Sequence, residues 1–385
     1  MTNRLLGTYL DLIRITAALA VVLVHARLAG LGPGMPSRDV LTRLLYFVTG
    51  QGHAAVIAFF VISGFLVGGK LFHAGRPGFL GKYLLDRATR IYVVALPVLL
   101  IAYALMHLSI ALYGQSYRLR GDACVVTPGD LMMMLGMVPR GLGVNQCLDA
   151  PIWSLAYEVF YYIFFALIAV ALARWREPLG WVCAALAVAV GGYALLEPGP
   201  MLAFSTIWLV GMAMAQQEPL RGRGLVFTAA VLALFLLQTV LRFGHQHFVS
   251  TEFVVTLGVA GGILILRRWH GVPVPAWVGA AAAAGAGASY SIYMSHAPMI
   301  VLARGIARHG LGIPVTRAAL TVTTVSLWMV LTVLGVAAGV AMWWLFERHT
   351  RWIRLHVGRA LGIPEPGAHQ PIPAETPTPP SPATA

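Results

Sequence analysis

The chain has 385 residues, of which 58% are hydrophobic and only 11% charged, where a soluble domain carries roughly a quarter charged. That balance excludes a soluble globular fold and leaves a lipid bilayer as the medium that takes up the apolar surface. The formal net charge of +13 lies in short loops between apolar runs, as positive-inside topology requires. It forms no basic patch interleaved with aromatics, so no nucleic-acid partner is expected.

A spanning helix needs about 20 mostly apolar residues. Such runs cover 10–29, 50–69, 90–112, 152–173, 178–196, 200–216, 225–241, 251–266, 288–306 and 320–346, the sixth being the shortest. Each is expected to be helical, because backbone in lipid must satisfy its own hydrogen bonds, and no β-barrel alternation competes with that reading. The expected fold class is therefore all-α: a polytopic integral membrane bundle of about ten transmembrane helices. The first run reads as a retained helix and not a signal peptide, because Arg14 interrupts it and no cleavage site follows. Most Lys and Arg fall in alternate loops, among them Lys70, Arg76, Lys82, Arg87 and Arg90, then Arg267 and Arg268, then Arg348 to Arg359. This bias places both termini in the cytoplasm and the long loop 113–151 outside.

Cys124 and Cys147 share that outer loop and are either a disulfide or two free thiols. Cys183 lies in an apolar run and reads as packing. The Ala/Gly-rich stretch Ala280–Ala288 is either a close-packed helix start or a loose loop. Residues 1–358 read as one membrane domain. Residues 359–385, rich in Pro, Thr and Ala, read as a disordered cytoplasmic tail.

Ionisable groups inside spans are costly and so mark candidate function. On the first span, Arg14 and His25 are eleven residues apart, about three turns and ~16 Å along one face. Arg14 also reads as an interfacial anchor paired with Asp11, and His25 as a hydrogen-bonded packing histidine. At the start of the fourth span, Ser154, Glu158 and Tyr161 or Tyr162 form one polar stripe, with Trp153 beside it. A structural tie between helices is the bland reading of that stripe. Topology places His25 and Glu158 at a similar depth near the outer face. A carboxylate supporting an imidazole there suits general-base work on a hydroxyl.

Arg87 and Arg90, at the inner start of the third span, project to one side and suit phosphate or pyrophosphate groups. Equally, they are inside-positive charge, with Asp86 paired to Arg90. On the second span, Ser63, Gly64 and Phe65 allow close helix approach or a thin wall beside a bound chain. Ser289, Tyr293 and His296 share a face of the ninth span, as interhelical hydrogen bonding or as a site. No metal-ligand pattern stands out.

Taken together, Leu10-Asp-Leu-Ile-Arg14 with His25, Phe59-Phe-Val-Ile-Ser-Gly-Phe65, Arg87-x-x-Arg90-Ile-Tyr, Trp153-Ser-Leu-x-x-Glu158-x-x-Tyr161 and Ser289-Tyr-Ser-Ile-Tyr-x-x-His296 resemble membrane-bound acyltransferase family 3, the bacterial O-acetyltransferases of surface carbohydrates. Phe346-Glu347-Arg348 resembles the family's ending. One departure is Val93-Val94, where the family more often has a proline. The resemblance implies an enzyme of the bacterial inner membrane that moves an acyl group, most often acetyl, from cytoplasmic acyl-CoA to a hydroxyl of a carbohydrate or glycolipid acceptor. It implies His25 as general base or acyl carrier supported by Glu158. Arg14, Arg87, Arg90, Ser63, Gly64 and Phe65 would lie on the acyl-CoA side, with Trp153, Ser154, Tyr161, Tyr162 and His296 on the acceptor side, and no metal. The donor's pantetheine arm would then be nearly extended, or the acyl group relayed. The competing class is a transporter or flippase, which would show repeated halves with helices broken near the midplane; no such halves are apparent.

Overall fold

The computed structural model describes residues 3–31, 39–114, 124–139, 145–148, 151–195, 201–242, 249–269, 272–313 and 320–363. The described residues are helical and connecting segments only. The first helix, α1 (Arg4–Gly30), starts at Asn3, whose side chain accepts the Leu6 N–H at 3.0 Å. The Asn3 amide also donates to the Leu266 carbonyl at 2.5 Å, tying the chain start to the end of a distant helix. Next come α2 (Val40–Val48), α3 (Gly52–Leu66), a 3₁₀ turn over Gly68–His73 and α4 (Phe79–Tyr113). The remaining helices are α5 (Pro128–Leu135), α6 (Ile152–Ala173), α7 (Pro178–Leu195), α8 (Met201–Met214), α9 (Gly222–Arg242), α10 (Val249–Arg268), α11 (Ala276–Gly305), α12 (Val322–Leu345) and α13 (Thr350–Ala360).

Each of the ten expected runs contains a helix. Seven segments are long and apolar enough to cross a membrane: those holding α1, α3, α4, α6, α7, α9 and α12. At 14 residues, α8 is shorter than a full crossing. Arg267 caps its end, donating to the carbonyls of Met214 and of Gln216, the latter at 2.7 Å. α10 is long enough but carries Glu252, Arg267 and Arg268, and α11 is diluted by its glycines and by the Ser, Tyr and His residues of 289–296. Ala280–Ala288 is helix throughout, with Gly285 packed against Ile15 of α1.

The apolar pattern did not signal three further helices, α2, α5 and α13. α2 turns Val40, Leu41, Leu44, Phe47 and Val48 outward, an amphipathic stretch too short to span. α13 follows the last span and continues through Ala360, two residues past the expected domain boundary. Residues 364–385 of the expected tail lie outside the described residues.

Packing places the site. α1 lies against α11, α12 and α3, and α3 lies along α8. The α3–α8 contact depends on two glycines. A Cβ on Gly64 would overlap the Trp208 carbonyl, and one on Gly211 would overlap the Val61 carbonyl, so the backbones touch at the crossing. Small residues at such crossings are how helices associate in lipid, where no hydrophobic drive separates protein from solvent. In the 113–151 loop, Cys124 and Cys147 form a disulfide with Cα atoms 5.8 Å apart. Beside it, α5 is capped reciprocally by Thr127 and Asp130.

Candidate active site

α1, α3, α4, α6 and α11 enclose a cavity of about 560 Å³, within the range of small-molecule sites. Its wall is mostly apolar, from Val56, Phe59, Ile62, Leu66 and Ile91 among others. Into it project four cations, Arg14, Lys70, Arg87 and Arg90, together with Glu158. Ser63, Ser154, Tyr162, Ser289, Tyr290 and Tyr293 complete the polar part of the wall.

Several of these polar groups are held by partners on another helix. Arg90 of α4 meets Glu347 at 2.5 Å. The second oxygen of Glu347 accepts from the backbone N–H and hydroxyl of Ser291 at 3.0 and 2.6 Å. Glu347 is buried, so this carboxylate joins α4, α11 and the turn after α12 at a point closed to water. Asp86 faces away from Arg90; it pairs with Lys70 at 3.5 Å and Arg354 at 3.4 Å. The expected pairing of Asp86 with Arg90 is thus not formed. The two are an i, i+4 pair within α4, but Arg90 is taken by the buried Glu347 and Asp86 by Lys70 and Arg354.

Arg87 lies over the Tyr162 ring, 5.8 Å from its centroid, and its buried Nε has no hydrogen-bond acceptor among the described residues. Arg14 keeps a loose contact with Asp11 at 3.8 Å while its head lines the cavity. Arg14 thus contacts Asp11 and lines the cavity at once. Four cations around a cavity with one carboxylate suit a polyanionic guest, and guanidinium forks match phosphate oxygens.

Glu158 ends a directional chain. The Trp208 indole donates to the Ser63 hydroxyl at 3.2 Å, Ser63 pairs with the Tyr162 hydroxyl at 3.0 Å, and Tyr162 donates to Glu158 at 2.5 Å. This corrects the expected His25–Glu158 pair. Glu158 is hydrogen-bonded through α3 and α6, and its charged neighbours are Arg87 and Arg90. The His25 Nδ1 instead sits 2.8 Å from the Nε2 of His296. The depth estimate matched the two residues along the membrane normal. Lateral packing put α11, not α6, next to α1.

His25 and His296 are not part of the cavity wall but lie behind it. Tyr293, which is in the wall, packs against the His296 ring with centroids 6.3 Å apart, and Phe59 meets Tyr293 edge-on at 5.6 Å. The Tyr293 hydroxyl bonds Ser154 at 2.5 Å. Tyr293 and Ser154 thus separate the cation-lined chamber from the histidine pair.

Of the other expected site residues, Gly64 packs on α8 and Phe65 against the adjoining core. Tyr161 is fully buried and donates to the Met201 carbonyl at 2.6 Å. Trp153 packs its ring against Tyr157 and Phe204. These four are structural supports and not walls of the cavity. Sequence reasoning missed two residues: Lys70, which read only as inside-positive charge, and Glu347, for which a carboxylate ending an apolar run was the available signal. Among the described residues, no group of three His, Cys, Asp or Glu side chains could hold a metal ion.

Residues 8–347 match the family-3 acyltransferase model, described as an acyltransferase domain. No curated protein and no solved structure matches the chain.

Proposed function

Because the chain belongs to membrane-bound acyltransferase family 3, its match spanning residues 8–347, we propose that it moves a short acyl group, acetyl in the first instance, from acyl-CoA to a hydroxyl of a carbohydrate or glycolipid acceptor. The donor enters from the cytoplasm, the acceptor is a cell-envelope or exported glycan, and the membrane is the bacterial inner membrane. The observation that carries this reading is the chamber in which Arg14, Lys70, Arg87 and Arg90 converge in an otherwise apolar wall.

In this mechanism the phosphate oxygens of CoA sit against Arg87 and Lys70. Arg87 is suited to the role because its buried Nε has no acceptor among the described residues. Arg90, held by Glu347 and Ser291, supplies a fixed positive edge. Glu158 offsets part of the chamber's charge. The thioester points past Phe59 toward Ser154 and Tyr293, at the end of the chamber nearest the histidines.

The acceptor hydroxyl gives its proton to the lone pair of His25 while its oxygen attacks the thioester carbonyl carbon. The tetrahedral intermediate collapses, the carbon–sulfur bond breaks, and CoA leaves as a thiolate. The imidazolium then returns the proton to that thiolate, leaving the ester and free CoA. General-base help of this kind is worth roughly 10²- to 10⁴-fold in rate. A two-sided bundle suits the reaction because donor and acceptor occupy different compartments.

The test uses purified protein with radiolabelled acetyl-CoA. Wild type is expected to bind the donor and to consume it when acceptor glycan is present. Arg87→Ala should raise the donor KM by roughly tenfold or more, the value of a charge-assisted phosphate contact. If wild type neither binds nor consumes acetyl-CoA or longer acyl-CoAs, the reading fails and a transporter becomes the better account.

A further inference from the structure

The histidine pair carries more information than its proximity. The His296 ring is fully buried, and its Nδ1 lies 2.9 Å from the Ile292 carbonyl one turn back on α11. A carbonyl oxygen can only accept, so His296 Nδ1 bears the proton. Its Nε2 then holds a lone pair and faces His25 Nδ1 at 2.8 Å. The two rings are nearly parallel, tilted by 13°, with centroids 5.1 Å apart. Centroids that far apart around so short a nitrogen–nitrogen distance put the rings edge to edge, as a linear N–H···N bond requires.

The hydrogen therefore sits on His25 Nδ1 and the His25 lone pair is on Nε2. The alternative is a doubly protonated His296. That would bury a cation whose hydrogen-bond partners are a carbonyl and a neutral imidazole, a far costlier state than the neutral tautomer.

The bundle is built to keep this alignment. Gly335 of α12 lies where a side chain would press on both the His296 Cβ and Val22 of α1, at 3.3 and 3.2 Å. Trp328 of α12 donates to the Leu23 carbonyl at 3.3 Å, fixing α1 two residues before His25. α12 thus holds α1 and α11 at the spacing the bond needs.

We propose that His296 is a positioning residue: its Nε2 accepts the His25 Nδ1 hydrogen and so fixes His25 in the tautomer and orientation that present Nε2 to the acceptor hydroxyl. The proposal rests on the acyl-transfer reading above. His296 touches neither donor nor acceptor, and the proton abstracted in the reaction stays on His25 Nε2 until CoA thiolate takes it. Histidine orientation by an outside hydrogen-bond partner is the general means of selecting one ring nitrogen for chemistry.

The test compares His296→Gln, His296→Asn and His296→Leu in purified, monodisperse protein with radiolabelled acetyl-CoA. A glutamine can place its amide oxygen near the former Nε2, whereas asparagine reaches only the Nδ1 position. His296→Gln should keep kcat within roughly tenfold, while His296→Asn and His296→Leu lose roughly 10²-fold or more, as a misoriented imidazole does. The KM for acetyl-CoA should stay unchanged in all three, because the chamber's cations are untouched. Equal kcat for the Gln and Asn variants, high or low, would overturn the proposal. If His296→Leu fails to fold, the Gln–Asn contrast still decides.

A second readout does not depend on activity. In ¹⁵N-histidine-labelled protein, His25 should show a protonated Nδ1 and a lone-pair Nε2, and the reverse tautomer would overturn the assignment. A wild type with no acyl transfer but the expected tautomer would refute the functional reading and leave the hydrogen-bond assignment standing.

Discussion

The bundle contains two polar clusters of opposite construction. The chamber is open and charged: Arg14, Lys70, Arg87 and Arg90 project into about 560 Å³ of space beside Glu158. The histidine pair is built around a closed member: His296 has no exposed surface and hydrogen-bonds the Ile292 carbonyl and the half-buried His25. The first arrangement suits binding, because fixed charges with spare hydrogen-bonding capacity meet a polyanion without rearrangement. The second suits proton transfer, because one tautomer is selected by neutral partners. Tyr293 belongs to both, with its hydroxyl on Ser154 and its ring against His296.

Substitutions should separate the two clusters. The largest effect is expected from His25→Ala: loss of roughly 10²- to 10⁴-fold in acyl transfer with donor binding retained, read by turnover and equilibrium binding of labelled acetyl-CoA. Glu347→Ala should act the other way, on structure and binding together. It leaves the half-buried Arg90 without its carboxylate and strips the buried Ser291 of an acceptor, a loss of about 1–3 kcal/mol. The expected result is a lower melting temperature in detergent and weaker donor binding. A wild-type melting temperature would show that Arg90 finds another partner.

Gly64→Ala tests the frame between the clusters. The added methyl overlaps the Trp208 backbone, so α3 and α8 must part, at about 1–3 kcal/mol for overpacking. That shift should also disturb the Trp208–Ser63–Tyr162 chain. Thermal unfolding and donor affinity read the two consequences separately.

The smallest effect lies outside both clusters. Hydrogen bonds from the Thr127 side chain, and then from the Thr127 and Asn145 backbone, hold the Asp130 carboxyl below its ordinary value of 3.8. A depressed carboxyl contributes stability that is present above the ordinary value and lost as pH falls through the lower folded one. The α5 region should therefore loosen only in acid below that value, and Asp130→Asn should remove the pH dependence. Amide exchange of residues 127–135 as a function of pH reads this directly.

The spans were legible because the bilayer demands long apolar runs whatever their partners, which is why Leu10–Ala29 or Ile152–Ala173 could be drawn from composition. α2 and α5 were not, because nine and eight residues are too short to span, and α13 was not, because its arginines and histidine break the apolar run. Most of the charged residues of the chamber were also legible: Arg14, Arg87, Arg90 and Glu158 are ionisable anomalies in an apolar sequence. Their pairing was not. Depth along the membrane follows from position in a run, but lateral neighbours follow from which helices pack. His25 and His296 are 271 residues apart in sequence. Nothing local to either residue separates the pairing of His25 with α11 from a pairing with Glu158 on α6. Gly64 was read correctly as a point of close approach, yet the wall it thins faces α8 and not the chamber.

The central claim is that binding and chemistry are housed separately, in the cation chamber and at His25. The most direct test is a single-turnover experiment with saturating radiolabelled acetyl-CoA and an acceptor glycan pool, on wild type and His25→Ala. The account predicts equal bound donor in both proteins and labelled product only in wild type. Labelled product formed by His25→Ala at the wild-type rate would contradict it and move the proton-transfer role to the chamber, where Glu158 is the available base.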